Sequence, residues 1–532
     1  MKNVTRIGII IAFLLVGFQS NATHWLGGEI VWTCNPVNGK FTFDVILYKE
    51  CGTPAAGWVN SVNLTGGPTG SITCPALGPA VDISPTCVSV VGGPPATACV
   101  VTASGKGAVQ RRVFRSAPIT LNGTPPPGGW LFTWNSCCRP GTVRNGPTGN
   151  YYLRAIMYPY TPVGGATPNN TNPCYDNSPY FSETGSITIC SGQPFVYNHL
   201  ASDKDLDSLY MRFAAPWDGI NQPVNFASGY SFSSPFPNPT TNSSNGPITM
   251  NGLTGEVSMN IQSATEGSYA SCFAVESWRC GQTNMGAAPV KIAEVFRDVA
   301  IVVLTGCTPN TEPGVLIDTA IYPNIKQHSA KSFSTDVYPG DTIEFDILAT
   351  DYETQPDGFT FQEIAFRSAG LQVNGNSPNL TTGCDGVVPC ATFTPIAPQT
   401  GYVRSLNNKI KFFWVPNCQH LRVEGNFCSP FNTFTFSMRM QDDGCPAPRV
   451  ALTTFRVNVI AGDPSPIEFE CVDYRTATND VRMSWNRAEI DSALTFNYYM
   501  LLGIQSNGTV DTLDRIYDID SLNSVVSSAN HR

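Results

Sequence analysis

Two stretches of this sequence hold residues whose types and spacing could do chemistry. One is "TWNSCCRPG" (133–141), where Cys137 and Cys138 are adjacent. Adjacent cysteines can serve as metal ligands, as a redox pair, as a bridge to each other or as two separate staples. The other is "SDKDLDSL", which sets Asp203, Asp205 and Asp207 at alternate positions. Calcium takes roughly 6–8 oxygen ligands, and a D-x-D-x-D loop can supply several of them. The loop is not an EF-hand. Ser208 stands at the sixth position, where that loop needs glycine, and Ala214 at the twelfth, where it needs glutamate.

The compartment decides between the readings of the cysteines. Lys2 and Arg6 precede an apolar run from Ile7 to Phe18, and Ser20-Asn21-Ala22 offers small residues for cleavage. Residues 1–22 therefore read as a secretory signal, with an apolar run too short to span a bilayer comfortably. No later stretch is apolar enough for a transmembrane span. Export favours disulfides, and the 18 cysteines are an even number. There is no CxxC pair, and the five histidines are scattered, so no zinc spacing appears.

The elements that must position these residues are strands. In "KFTFDVILY", Phe41, Phe43, Val45 and Leu47 alternate with polar neighbours; "TIEFDILATD" and "FTFSMRM" do the same. Such half-buried strands, separated by turns rich in Gly (47) and Pro (42), predict β-sandwiches. The expected fold is all-β: tandem Ig/cadherin-like sandwich modules stapled by disulfides. Pro-rich breaks after "VAIVVL" and "FRVNVI", and the repeat of Ala201-Ser202-Asp203 in Ala349-Thr350-Asp351, divide the chain into 23–190, 191–307, 308–461 and 462–532. The last segment resembles the second and third strands of a fibronectin type III sandwich ("VRMSW", "FNYYML") and reads as truncated.

Strand alternation bears on the cysteine pair. In "WLFTWNSCC", Trp130, Phe132, Trp134 and Cys138 share one face and Cys137 the other. Two separate bridges are the expectation, with Cys34, Cys51, Cys74, Cys87, Cys99 and Cys174 as candidate partners. Asp351, Glu353, Asp442 and Asp443 form a second acidic group beside the calcium candidates Asp203, Asp205 and Asp207. The competing reading of these aspartates is Asx-turns or solvated strand ends. Trp25, Trp32, Trp58, Trp217, Trp278 and Trp414 are candidates for sugar stacking, with Trp414 read as core.

Function classes narrow accordingly. A net charge of -9 argues against nucleic acid as a partner. No GxSxG elbow, HExxH or phosphate loop is present, so no catalytic residue is assigned. "ATHWLGGEI", "FDVILYKEC", "WNSCCRPGTVRN", "DNSPYF" and "ASDKDLDSLYM" occur in that order between Ala22 and Met211. Together they resemble the start of gliding-motility-associated surface proteins exported by the type IX secretion system, a likeness covering roughly residues 22–460. Lys49-Glu50 departs from the family's usual Arg-Asp, and Pro140 from its common Asn. The resemblance implies a secreted, cell-surface adhesion or structural protein with a surface or matrix ligand, glycans among the candidates. The alternative is the non-catalytic, carbohydrate-binding arm of a larger polysaccharide-degrading enzyme.

Overall fold

Alternating apolar residues become sheet interiors throughout the computed structural model. It describes residues 25–527 apart from 52–57, 86–98, 100–106, 141–142, 147–148, 161–174, 186, 281–288, 308–309, 356–357, 375–382, 395–406, 422–430, 446, 461–468, 479, 486–498, 505–509 and 517–522. The expected signal segment, Cys87 and Cys174 lie outside the described residues. Among those described, no helix is long and apolar enough to cross a membrane. Regular structure among the described residues is strand, with two short 3-10 turns.

The strand Pro289–Leu304 is the spine of the N-terminal half. One edge pairs along its length with Gly267–Cys280. The other edge is shared in succession by Tyr151–Met157, Trp25–Asn35 and Thr188–Cys190. These belong to a twelve-stranded sheet that draws strands from residue 25 to residue 304. One apolar cluster likewise runs from Trp25 to Val303, with Phe41, Phe43, Val45 and Leu47 inside it as their alternation predicts. The expected boundary at 190/191 is therefore corrected: it falls within one continuous sheet. A spine of 16 residues is long enough to pair with early strands and late strands at once.

Charge is buried where the early strands meet the spine. Gly28 pairs with Asp298, so the next rung sets Glu29 beside Arg297. Arg297 Nη2 donates to Glu29 Oε1 at 2.6 Å, and its Nε donates to the other oxygen. Both side chains are 1% exposed. Arg297 Nη1 also donates to the Glu183 carbonyl at 2.7 Å and to His199 Nδ1 at 3.1 Å. His199 Nε2 is left to donate to Tyr197 Oη at 2.9 Å. Burial and the neighbouring guanidinium hold His199 well below its usual range, so it is neutral. The next spine residue, Asp298, takes a bidentate pair from Arg139 at 2.9 and 2.5 Å.

Residues 314–460 form a two-sheet sandwich. Four strands including Ile343–Thr350 and Asn407–Trp414 face five including Phe431–Gln441 and Val450–Ile460. Phe345 meets Phe455 across the sheets at 4.6 Å between ring centroids, and Phe412 meets Phe436 at 5.1 Å. Ser332–Val337 runs parallel to Val450–Ile460, and the other strand pairings in the two sheets are antiparallel. Beyond them, Phe469–Arg475, Asp480–Trp485 and Asn523–Ser527 make a three-stranded sheet.

The "GG" of "THWLGGEI" has a packing reason. Gly27 has φ +138°, and a Cβ there would collide with the Asp298 carbonyl oxygen. A Cβ on Gly28 would meet the Ile46 carbonyl. Gly27 lets the first strand approach the spine closely enough for Glu29 to reach Arg297, and Gly28 makes room for the neighbouring strand Lys40–Glu50. Gly27→Ala is expected to destabilise the N-terminal half by at least about 3 kcal/mol, through strain and clash together. Thermal unfolding of the oxidised protein checks this; an unchanged midpoint would contradict it.

Candidate functional site

The acidic run begins where the strand Ala201–Ser202 ends. Ser208 pairs with Trp278, and this register sets Asp207 opposite Arg279. Arg279 Nε and Nη2 donate to the two oxygens of Asp207, each at 2.6 Å. Arg279 Nη1 donates to the Tyr175 carbonyl at 2.5 Å. The same guanidinium lies 3.4 Å from Asp176 and 3.5 Å from Asp205. Asp205 in turn accepts from the Asn177 backbone at 2.6 Å and from its side chain at 2.9 Å.

Asp203 behaves differently from Asp205 and Asp207. One of its oxygens accepts from the backbone of Asp205 at 2.8 Å, an Asx-turn, and from that of Asp207 at 3.3 Å. Its other oxygen is buried without a partner, as is one oxygen of Asp176. The residues with ligand atoms within 4.8 Å of one another are Asp176, Asp205 and Asp207. The predicted triad is thus corrected. Asp203 turns back to order its own loop, and Asp176 from "DNSPYF" takes its place. Lys204 and Asp205 form a turn and Leu206 has φ 60°, so strand alternation does not hold across the three sequence positions.

Electrostatics make this nest unusual. Four carboxylates face one guanidinium in a buried site. Burial pushes the Asp176 carboxyl well up, with Arg279 opposing and Asp205 and Asp207 adding to the rise. Burial, then Asp207 and Asp205, push Asp203 well up too, and burial raises Asp205 against Arg279. The second acidic group forms no converging cluster among the described residues, although burial pushes the Asp442 carboxyl well up and raises Asp351, one oxygen of which is buried without a partner. Asp351 accepts from the Glu353 backbone at 2.9 Å, and Asp442 from the Gly444 and Arg449 backbones at 3.0 and 2.8 Å. Asp443 accepts from Gln355 at 2.6 Å and from the Glu363 backbone at 2.9 Å.

The expectation of two separate bridges at the vicinal cysteines is also corrected: Cys137 and Cys138 are bonded to each other. The strand stops at Ser136, and the pair lies in the bend beyond it, where alternation no longer separates the two side chains. Among the described candidate partners, three have their bonding shown. Cys51 pairs with Cys99, Cys34 is disulfide-bonded, and Cys74 is a buried thiol pushed up to about 12 by burial. Cys190–Cys307 and Cys384–Cys390 are further bridges. Two buried polar residues just beyond the pair have no spacing signal in the sequence. Arg139 is the buried partner of Asp298 and lies 4.2 Å over the Tyr151 ring. Asn145 is buried and brackets Ala270 through both backbone groups. The tryptophans are engaged within the fold. Trp25, Trp32 and Trp414 are buried, Trp58 donates to Gln110, Trp217 lies under Arg154 and Trp278 donates to Glu276.

The raised carboxyls give a signed pH dependence. Their native values stand above the unfolded value of about 4, so the native state holds more protons across that window. The nest therefore costs stability at neutral pH, and the cost fades as pH falls through the native values toward about 4. Asp203→Asn keeps the acceptor for the Asx-turn and removes one charge. In chelator it should unfold at a higher temperature than wild type at pH 7.5, with the gap shrinking by pH 5. A gap independent of pH, in thermal unfolding followed by circular dichroism, would contradict this.

No protein-family model and no curated protein matches the chain. Among solved structures it is similar to a chimeric titin Z1Z2 functionalized with a KLER exogenous peptide from decorin. Identity there is 9% over 54% of this chain and 98% of that one, with a TM-score of 0.13. It is also similar to the human desmocollin-1 ectodomain, at 11% identity over 79% of this chain and 85% of that one, with a TM-score of 0.15. TM-scores this low leave function to be argued from the residues themselves.

Proposed function

We propose that this chain is a secreted, cell-surface-associated adhesion or structural protein, acting by multivalent contact through its loops and sheet edges and associated with gliding motility. The observation that carries this reading is where the charged side chains go. Only 13% of residues are charged, yet Glu29, Arg139, Asp207, Arg279, Arg297 and Asp298 are buried as matched pairs on and against one sheet. Groups placed this way stiffen a scaffold rather than meet a substrate. Disulfides persist in oxidising compartments, so the Cys51–Cys99, Cys190–Cys307 and Cys384–Cys390 bridges support export. The link to gliding motility and type IX secretion rests on the ordered motifs. No catalytic residue is assigned, and calcium is the cation this reading expects. Trp25, Trp32 and Trp414 are buried, so the carbohydrate-binding alternative would rest on the half-buried Trp58, Trp217 and Trp278.

Two measurements on the producing cells test the proposal. A membrane-impermeant amine reagent should label the protein on intact cells, and deletion of its gene should reduce spreading on soft agar. Labelling only after lysis, together with unchanged spreading, would overturn the reading. Strong, selective binding on a glycan array would favour the polysaccharide-enzyme arm instead.

A further inference from the structure

The nest around Arg279 is charged beyond what its arginine neutralises. Asp176, Asp203, Asp205 and Asp207 bring four formal negative charges, and Arg279 brings one positive charge. That arginine is committed to Asp207 by two short bonds. Asp205 is held by Asn177. Asp176 and Asp203, 1% and 5% exposed, each keep one buried oxygen without a partner. A buried anionic oxygen that meets neither a donor nor a cation is strongly disfavoured. The carboxylates of Asp176, Asp205 and Asp207 converge within 4.8 Å, and such a set suits a hard cation of flexible geometry.

The geometry points to a divalent-cation site of the calcium type in this nest, formed by the converging carboxylates of Asp176, Asp205 and Asp207, with Asp176 supplying the free oxygen, Asp203 ordering the loop beside it and Arg279 serving as the fixed counter-charge of Asp207. Calcium accepts irregular sets of carboxylate and backbone oxygens, whereas magnesium demands near-ideal octahedral geometry. The site lies at a joint. Leu206, inside the acidic loop, packs against the apolar core of the 314–460 sandwich. Tyr180 is within electrostatic range of both Asp203 and Asp385, which come from the two sides of that joint. Arg439 reaches back to Glu183 at 3.4 Å nearby. A cation held here fixes the loop and, through Leu206, the approach of the sandwich to the spine sheet. This inference deepens the calcium part of the proposed function. It is read on purified protein, so its failure is distinguishable from failure of the surface role, which is read on cells.

The test uses the oxidised full chain, stripped with chelator and titrated with calcium alone or magnesium alone by calorimetry, with thermal unfolding in parallel. Calcium should bind at this site with one ion per chain and raise the unfolding midpoint by roughly 5–10 °C at a hundredfold excess over its Kd. Asp176→Asn and Asp205→Asn each remove one carboxylate of the converging cluster and should weaken calcium binding by more than about tenfold, since ligand charge sets affinity. Asp176→Asn should also reverse the order of stability: above wild type in chelator, below it in calcium. Either variant suffices if the other does not fold. Wild type that takes up no calcium at millimolar concentration, or variants that bind it unchanged, would overturn the inference. Magnesium bound as tightly as calcium would overturn the choice of cation.

Discussion

Three guanidinium groups held out of water organise the N-terminal half of this protein. Arg297 meets Glu29, Arg139 meets Asp298, and Arg279 meets Asp207, each through two hydrogen bonds. Two of these pairs lie on the spine strand, and the third lies at the end of its neighbour Gly267–Cys280. Burying such charges is costly, and the cost is offset only when both partners are in place. Removing either member of a pair leaves a buried charge uncompensated, at roughly 3–5 kcal/mol. The pairs therefore act less as a source of stability than as a condition on assembly. Residues 29, 139 and 207 must reach the late strands together, or the late strands carry unpaired charge.

This condition explains why the ordered motifs occur as a set. "THWLGGEI" brings the glycines that permit close approach and the Glu29 that meets Arg297. "CCRPGTVRN" brings Arg139 and Asn145. In "DNSPYF", Asn177 accepts from the Cys34 backbone and holds Asp205, and Ser178 accepts from the Trp32 backbone. "ASDKDLDSL" brings Asp207 to Arg279. Motifs that look unrelated along the chain are neighbours across a few rungs of sheet. The bridge Cys190–Cys307 closes the same region covalently, joining the short strand beside the spine to the residues just past its end.

Much of this architecture is legible in the sequence. Alternation names the inward faces of Phe41 to Leu47, Ile343 to Ala349 and Phe434 to Met440, because a half-buried strand must alternate. The all-β class follows from those faces and the turn residues between them. The 190/191 boundary is not legible, since a strand long enough to serve early and late partners looks locally like any closing strand. The cysteine pair misleads because alternation, extended two residues past the strand's end, no longer applies. Asp176 escapes a sequence reading because ligands that converge through tertiary pairing leave no spacing signal. Its membership in a motif with Asn177 and Ser178 is the available clue. Arg279 and Arg297 escape for a related reason: a charged residue in an otherwise apolar strand reads as an edge or solvent position until its partner is known.

The central claim is that residues on both sides of position 190 fold as one cooperative unit, pinned by these pairs. Hydrogen exchange on the intact, oxidised chain tests it most directly. The account predicts that amides of the Trp25–Asn35 strand and of the Gly267–Cys280 strand open with the same free energy and, under destabilising conditions, in the same event. Early-strand amides that exchange far faster, while the late strands stay protected, would contradict it.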